Sequence, residues 1–167
     1  MSETVAGKKT YELLEKEPAA IVVHCSDPRF QKAFKEFING ELGLEDGRYV
    51  PLVISGGVGS LSEPLRLPKE FKFVKERIEA FIERFDTIKR IILINHEDCR
   101  HYEALKSLIG NLFLNRVRDL AERQKVDLRS VARTLLGLLG SSIQVELYYA
   151  RFADAGKKSV VLEKIAI

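Results

Sequence analysis

The chain contains 167 residues, a length typical of one domain, and 46% of them are hydrophobic. That is enough for a core that needs no disulfides to stabilise it. Its 27 basic and 24 acidic residues are interleaved, so the net charge of +3 argues against a nucleic-acid partner. No apolar run approaches the roughly 20 residues that cross a bilayer, and residues 1–17 lack the apolar stretch of a secretory signal. We therefore expect a single cytoplasmic domain over residues 1–167, without a membrane partner.

The first half of the chain alternates between strand and helix patterns. Residues 19–24 form an apolar, β-branched run that is typical of a strand buried on both faces. Apolar residues then recur at helical spacing over residues 30–38, and Asn39-Gly40 predicts the end of that helix. Residues 49–55 predict a second strand, which residues 56–59, three of them glycine, end with a turn or a close backbone approach.

The second half predicts a buried strand, further helices and a terminal hairpin. A loop with two prolines at residues 60–68 comes first, and the clearest buried strand follows at residues 89–95. Helices are predicted at residues 71–85, at 101–124 and from 127 to 137–140, and a hairpin pairs residues 142–152 with 159–165. Strands that alternate with helices indicate an α/β fold: a mostly parallel β-sheet flanked by helices, with a C-terminal antiparallel edge hairpin.

The only two cysteines lie just beyond the carboxyl ends of predicted buried strands, where open α/β sheets build their sites. Cys25 follows the first strand, and the sequence His96-Glu97-Asp98-Cys99 follows the third. Two residues between His96 and Cys99 let both side chains turn toward one ion, and Cys25 from a neighbouring strand completes a Cys-His-Cys set. Such a set is typical of a catalytic zinc that keeps its fourth position open. Two cysteines are too few for a disulfide scaffold and fit a reducing compartment.

Other interpretations of these residues stay open at this point. Cys25 and Cys99 could be small buried hydrophobes with His96 at a strand end, or they could form a redox-switch disulfide that leaves His96 without a role. Asp27 and Arg29 stand beside Cys25, and both are costly in a core unless they are paired. They either belong to a site or pair with each other within the turn after the first strand.

Two motifs, Cys-x-Asp-x-Arg at residues 25–29 and His-x-x-Cys at residues 96–99, resemble the signature of β-class carbonic anhydrases. The resemblance covers the architecture of nearly the whole chain. It implies that Cys25, His96 and Cys99 bind zinc, and that Asp27 and Arg29 are catalytic residues that orient the zinc-bound water for attack on carbon dioxide. Because the aspartate itself takes the fourth zinc position in closed forms of the family, Asp27 is either a ligand or an orienting residue. The resemblance also implies a small-molecule substrate, carbon dioxide or bicarbonate, and a homodimer or larger homo-oligomer.

The chain departs from the family pattern in three places. Arg100 and His101 follow Cys99, where the family usually has glycine. The second strand runs into Ser-Gly-Gly-Val-Gly at residues 55–59 rather than Arg-Asn-Ala-Gly-Asn, and the first cysteine and His96 are more widely separated than usual. Three alternatives to carbonic anhydrase activity follow: a hydrolase of carbon disulfide or carbonyl sulfide with the same zinc set, a non-catalytic zinc protein, and a module that binds bicarbonate or another small anion.

The remaining histidines have separate interpretations. His24 immediately precedes Cys25 in a strand, so we expect its side chain on the opposite face of the sheet, in a structural role. His101 lies at a predicted helix start, where it serves either as a capping residue, which we favour, or as a proton shuttle.

Overall fold

A five-stranded β-sheet forms the centre of the computed structural model, which describes residues 4–5, 8–62, 68–109 and 119–167. In chain order the strands are β1 (Thr4–Val5), β2 (Lys8–Lys9), β3 (Ala20–Cys25), β4 (Tyr49–Ile54), β5 (Arg90–His96), β6 (Gln144–Phe152) and β7 (Val160–Ile165). β1 and β2 form a separate antiparallel pair, and the sheet has the order β4-β3-β5-β6-β7. All its neighbouring pairs are parallel except β6 and β7, which are antiparallel. The predicted α/β fold with a terminal edge hairpin is therefore confirmed.

Helices cover both faces of this sheet. They are α1 (Gln31–Gly40), α2 (Gly59–Ser62), α3 (Pro68–Arg84), α4 (Arg100–Ile109) and α5 (Leu120–Leu139). Phe34 and Ile38 of α1 pack against Val22 on one face, whereas Ile78 of α3 packs in a second cluster with Ile21 on the other. Alternate residues of β3 thus face different helices, which is why this strand is a continuous apolar run rather than an alternating one.

The two central strands bring their carboxyl ends to the same edge of the sheet. β3 and β5 are parallel neighbours whose register pairs Ile21 with Ile91 and His24 with Ile94. Cys25 is the last residue of β3, and His96 is the last residue of β5. The two motifs that contain the candidate ligands therefore begin at the ends of adjacent strands.

α5 begins earlier than the sequence pattern indicated. Gln124 and Asp127, which were predicted to lie in separate helices, belong to this one helix, and that prediction is wrong. The side chain of Asp119 accepts a hydrogen bond from the backbone N–H of Ala121 at 3.0 Å and so caps the helix start. Gln124 and Asp127 are both buried, so they break the apolar pattern without breaking the helix.

The predicted loop at residues 60–68 begins as helix instead, because α2 extends to Ser62. Residues 63–67 of that loop, and residues 110–118 of the helix predicted over 101–124, lie outside the described residues. Within the described ranges, no helix is long and apolar enough to cross a membrane.

Candidate metal centre

The side chains of Cys25, His96 and Cys99 converge at the carboxyl edge of the sheet. One possible ligand atom from each residue lies within 4.8 Å of the other two. The two sulfur atoms are 3.9 Å apart, and neither cysteine is in a disulfide. All three residues are buried, with relative exposures of 5%, 1% and 2% in chain order. Three side chains that the sequence places up to 74 positions apart are thus brought to one point.

The imidazole of His96 is held with one nitrogen directed at no hydrogen-bond partner. Its Nδ1 lies 2.8 Å from the backbone carbonyl oxygen of Glu97. Because a carbonyl only accepts, this contact assigns the ring hydrogen to Nδ1 and leaves a bare lone pair on Nε2. That Nε2 is buried and finds no hydrogen-bond partner among the described residues. The ring of Phe30 lies against the imidazole, with 4.1 Å between centroids, and fixes its plane. An orphaned, oriented imidazole nitrogen of this kind is what a metal ligand requires.

The two thiols are electrostatically coupled. A hydrogen bond from the Cys99 thiol, with further support from backbone N–H groups, lowers the pKa of Cys25 to about 4. The backbone N–H of Gly56 also donates to the Cys25 sulfur at 3.4 Å. The hydrogen bond that the Cys99 thiol donates to Cys25, together with burial, raises the pKa of Cys99. The pair therefore favours one thiolate even before a cation is considered, and thiolates are the form that binds metals.

Asp27 is locked by Arg29 beside this cluster. Oδ1 of Asp27 accepts from the backbone N–H and Nε of Arg29 at 3.0 and 3.1 Å, and Oδ2 accepts from Nη2 at 2.7 Å. The side chain of Asp27 is only 11% exposed. The guanidinium contact lowers the pKa of Asp27 and so keeps the carboxylate ionised. Among the described residues, Asp27 is not a member of the convergent metal-ligand group.

Arg29 also joins the two loops that carry the candidate ligands. Its Nη1 donates to Oδ2 of Asp98 at 3.1 Å, and its Nη2 donates to the backbone carbonyl of Asp98 at 3.0 Å. Lys157 approaches the same Asp98 oxygen at 3.2 Å. Asp98 lies between His96 and Cys99 in a left-handed backbone conformation, with a φ of 58°. The bridge therefore ties the loop after β3 to the turn that presents Cys99.

Sequence reasoning missed Asp98 and a second bracing residue, Gln31. The side-chain amide of Gln31 donates to the backbone carbonyls of Cys25 and Asp27 at 2.9 and 2.7 Å, and so holds the loop between them. The one available signal for Asp98 was its residue type, because aspartate tolerates a positive φ better than most side chains. Nothing local in the sequence signals the contact of Gln31, since its acceptors are backbone atoms.

A pocket of about 270 Å³ opens beside the thiols. Its lining consists of Cys25, Ser26, Asp27, Pro28, Arg29, Ser55, Cys99, Arg100 and His101. The predicted ligands Cys25 and Cys99 and the predicted pair of Asp27 and Arg29 thus border one space. Arg100 is exposed, and His101 is half-buried.

The other two histidines, His24 and His101, lie in different surroundings. His24 is buried against Phe34, with 5.1 Å between ring centroids, and its Nδ1 lies 3.0 Å from the Cys25 carbonyl. Burial lowers the pKa of His24, and in the described part of the chain this histidine is not in the metal-ligand group. His101 instead borders the pocket, and burial lowers its pKa as well.

The chain matches no family model, and it matches no curated protein in sequence. Its structure is similar to solved β-carbonic anhydrases. Isoform I from the protozoan Trichomonas vaginalis aligns over 93% of this chain and 87% of its own, at 15% identity and a TM-score of 0.56. CafA of the fungal pathogen Aspergillus fumigatus aligns over 90% and 76%, at 17% identity and a TM-score of 0.50. A tetrameric β-carbonic anhydrase of the ascomycete Sordaria macrospora aligns over 91% and 82%, at 13% identity and a TM-score of 0.50. The chain therefore has the β-carbonic anhydrase fold.

Proposed function

We propose that this protein binds one zinc ion through Cys25, His96 and Cys99 and catalyses the reversible hydration of carbon dioxide to bicarbonate. The observation that carries the proposal is the buried His96 Nε2, which has no hydrogen-bond partner in the described chain and belongs to one compact group with two free thiols. The chain offers this group on the fold of the β-carbonic anhydrases.

The donor set fits zinc. Two thiolates and a neutral imidazole balance the charge of a divalent cation and are the soft and borderline ligands that zinc prefers. Three protein ligands leave a fourth position of a tetrahedral site open, as in catalytic zinc sites. When bound, zinc supplies acidity to a coordinated water, lowering its pKa from about 15.7 to about 7.

Asp27 is placed to accept a hydrogen bond at the edge of this group. Arg29 supplies three N–H donors: its backbone N–H to Oδ1, its Nη2 to Oδ2, and its Nε, which contacts both oxygens. A carboxylate has about four acceptor sites, so one of them is left for a further donor. Because Arg29 keeps the carboxylate ionised, Asp27 can orient a hydroxyl group in the pocket without taking up its proton at neutral pH. This arrangement supports Asp27 as an orienting residue rather than a metal ligand.

The pocket suits a small neutral substrate and an anionic product. Its volume of about 270 Å³ lies below the roughly 300–1,000 Å³ of sites for drug-sized ligands. Arg100 lines the pocket and is exposed, and Arg29 keeps a 43% exposed side chain there. A guanidinium at the mouth of the pocket favours bicarbonate over carbon dioxide and so helps to draw the product outward.

The experiment is a joint measurement of metal content and turnover. Elemental analysis of the purified protein should give about one zinc per chain, and stopped-flow hydration of carbon dioxide should accelerate as pH rises from about 6 to 9, where a zinc-bound water ionises. Asp27→Asn serves as a matched variant that keeps the three ligands but removes the charge. It should retain zinc and lose activity about 10- to 100-fold.

Two results would change the proposal. A protein without zinc and without hydration activity refutes it. A protein with one zinc that hydrolyses carbon disulfide or carbonyl sulfide, and leaves carbon dioxide unhydrated, keeps the metal centre and corrects the substrate.

We further propose that the smallest unit in solution is a homodimer. β4 lies at the edge of the sheet, and an edge strand offers unpaired backbone groups to a partner. Val53 of β4 is 44% exposed, which is high for a large apolar side chain. Light scattering at micromolar concentration tests this, and a strict monomer that binds zinc would contradict it.

A further inference from the structure

The side chain of His101 stands between two hollows of the protein surface. One is the pocket beside the thiols, and the other is an apolar groove of about 390 Å³. The groove is lined by Ile54, Ser55, Lys69, Glu70, Phe73, Val74 and His101. Ser55 and His101 are common to both linings, and of these two side chains only the imidazole is bulky.

The imidazole is fixed by packing. A Cβ placed on Gly56 would lie 2.1 Å from Cδ2, 2.5 Å from Cγ and 2.7 Å from Nε2 of His101, so the ring rests directly on the glycine backbone. The ring of Tyr102 meets it edge-on, with 6.4 Å between centroids, and Oγ of Ser55 lies 3.4 Å from Nδ1. Nε2 is buried without a hydrogen-bond partner in the described chain. The position of the ring therefore depends on its shape more than on its hydrogen bonds.

The two hollows differ in chemistry. The metal pocket presents the thiols and the Asp27–Arg29 pair, whereas Ile54, Phe73 and Val74 give the groove an apolar wall. If they were joined, the combined space would reach the size of sites that hold much larger ligands. A ligand with an apolar tail could then place its head at the metal and its tail in the groove.

We propose that His101 determines the specificity of this site by walling the metal pocket off from the apolar groove. With the imidazole in place, the metal pocket has no apolar extension, so it favours small molecules of the class of carbon dioxide and carbonyl sulfide over ligands that carry an apolar substituent. This inference rests on the proposed function for its substrate class, while the wall itself is a property of the metal-free protein.

The test measures thiol alkylation in metal-free protein with two reagents of different size. Iodoacetamide is the small reagent and N-phenylmaleimide the large one, and mass spectrometry follows the modification of Cys25. His101→Ala should raise the rate with N-phenylmaleimide by about tenfold or more and change the rate with iodoacetamide by less than about twofold. His101→Gln, which keeps a side chain of similar length, should behave like the wild type.

Arg100→Ala is the matched control, because Arg100 lines the metal pocket but not the groove. It should leave the ratio of the two rates unchanged. The wild-type protein provides a further check that needs no substitution. The ratio of its iodoacetamide rate to its N-phenylmaleimide rate should be about tenfold higher than the same ratio measured for free glutathione. An unchanged N-phenylmaleimide rate in His101→Ala, an equal gain in Arg100→Ala, or a wild-type preference no greater than that of glutathione would overturn the proposal.

A second readout separates this proposal from the proposed function. Protein loaded with cobalt(II) is titrated with thiocyanate, which is linear, and with benzoate, which carries a ring, while the visible spectrum reports binding without turnover. His101→Ala should bind benzoate about tenfold more tightly and thiocyanate as the wild type does. A protein that takes up no cobalt contradicts the metal site, and the alkylation rates then decide on His101 alone.

Discussion

Gly56→Ala is the substitution whose cost can be worked most directly from the structure. Gly56 has a φ of +79°, and an added Cβ would overlap the ring of His101 at 2.1 Å. The left-handed backbone costs a residue with a side chain roughly 1–2 kcal/mol, and forcing a methyl group into a filled site costs about 1–3 kcal/mol more. We therefore expect the free energy of unfolding to fall by about 2–5 kcal/mol. For a chain of this size, each kcal/mol lowers the melting temperature by roughly 2–4 °C.

Gly43→Ala provides the matched control. Gly43 also has a positive φ, of +65°, but a Cβ added there meets nothing within 4 Å. It should therefore show the backbone cost of about 1–2 kcal/mol without the cost of overlap. Urea denaturation measured at equal protein concentration, with and without zinc, gives both values.

The double variant decides whether His101 is the cause. In a His101→Ala background the overlap disappears, so Gly56→Ala should cost no more than Gly43→Ala does. A coupling of about 1 kcal/mol or more between the two positions is the expected result for residues in direct contact. If Gly56→Ala costs the same with and without the imidazole, or no more than Gly43→Ala in the wild type, the packing of His101 on this turn has been misjudged.

Three further outcomes are expected. Cys25→Ser and Cys99→Ser should each lose most of the bound zinc by elemental analysis and lose the rise in melting temperature that zinc gives the native state; full zinc retention in both would end the metal proposal. Arg29→Ala should keep zinc but lower turnover about 10- to 100-fold, since Asp27 loses the partner that positions it. Lower thermal stability with unchanged activity per folded molecule would instead assign Asp27 and Arg29 a structural role. Because folding lowers the pKa of Asp27 and Asp98, their contribution to stability is complete above the unfolded pKa of about 3.9 and is lost as pH falls through the folded values. Acid unfolding should therefore set in below about pH 4 and change less steeply in Asp98→Asn, and an identical profile would show that these carboxylates do not matter.

The strand ends were the part of the site that the sequence could predict. Continuous apolar runs identify buried parallel strands, and residues directly after such runs collect at one edge of a sheet. This reasoning alone places Cys25 near His96, although 70 residues lie between them. The order of helices and strands follows from the same patterns, with the start of α5 as the clear exception because buried polar residues there mimic a break.

The parts that could not be predicted depend on contacts without a local signal. The contact of Arg29 with Asp98 joins two loops that are 69 residues apart, and neither loop sequence specifies the other. His101 was expected at a helix start, and α4 indeed begins one residue earlier, at Arg100. The position of His101 over Gly56 depends on where the end of β4 lies relative to α4. The periodicity of a single helix does not predict that placement.

The register between β3 and β5 also decides how freely the intervening chain can change in length. The pairing of Ile21 with Ile91 and of His24 with Ile94 sets how far the end of β3, with Cys25, lies from the end of β5, with His96. The segment that leaves β4 and returns to β5 takes no part in that ladder. Insertions at the exposed turn around Asp86, between α3 and β5, leave the core contacts of α3 in place and cost mainly loop-closure entropy. That cost grows slowly with length, at about 0.6 kcal/mol for each doubling. An engineer could therefore graft new peptide between these strands, or open the chain there for circular permutation, while the spacing of the candidate ligands stays the same.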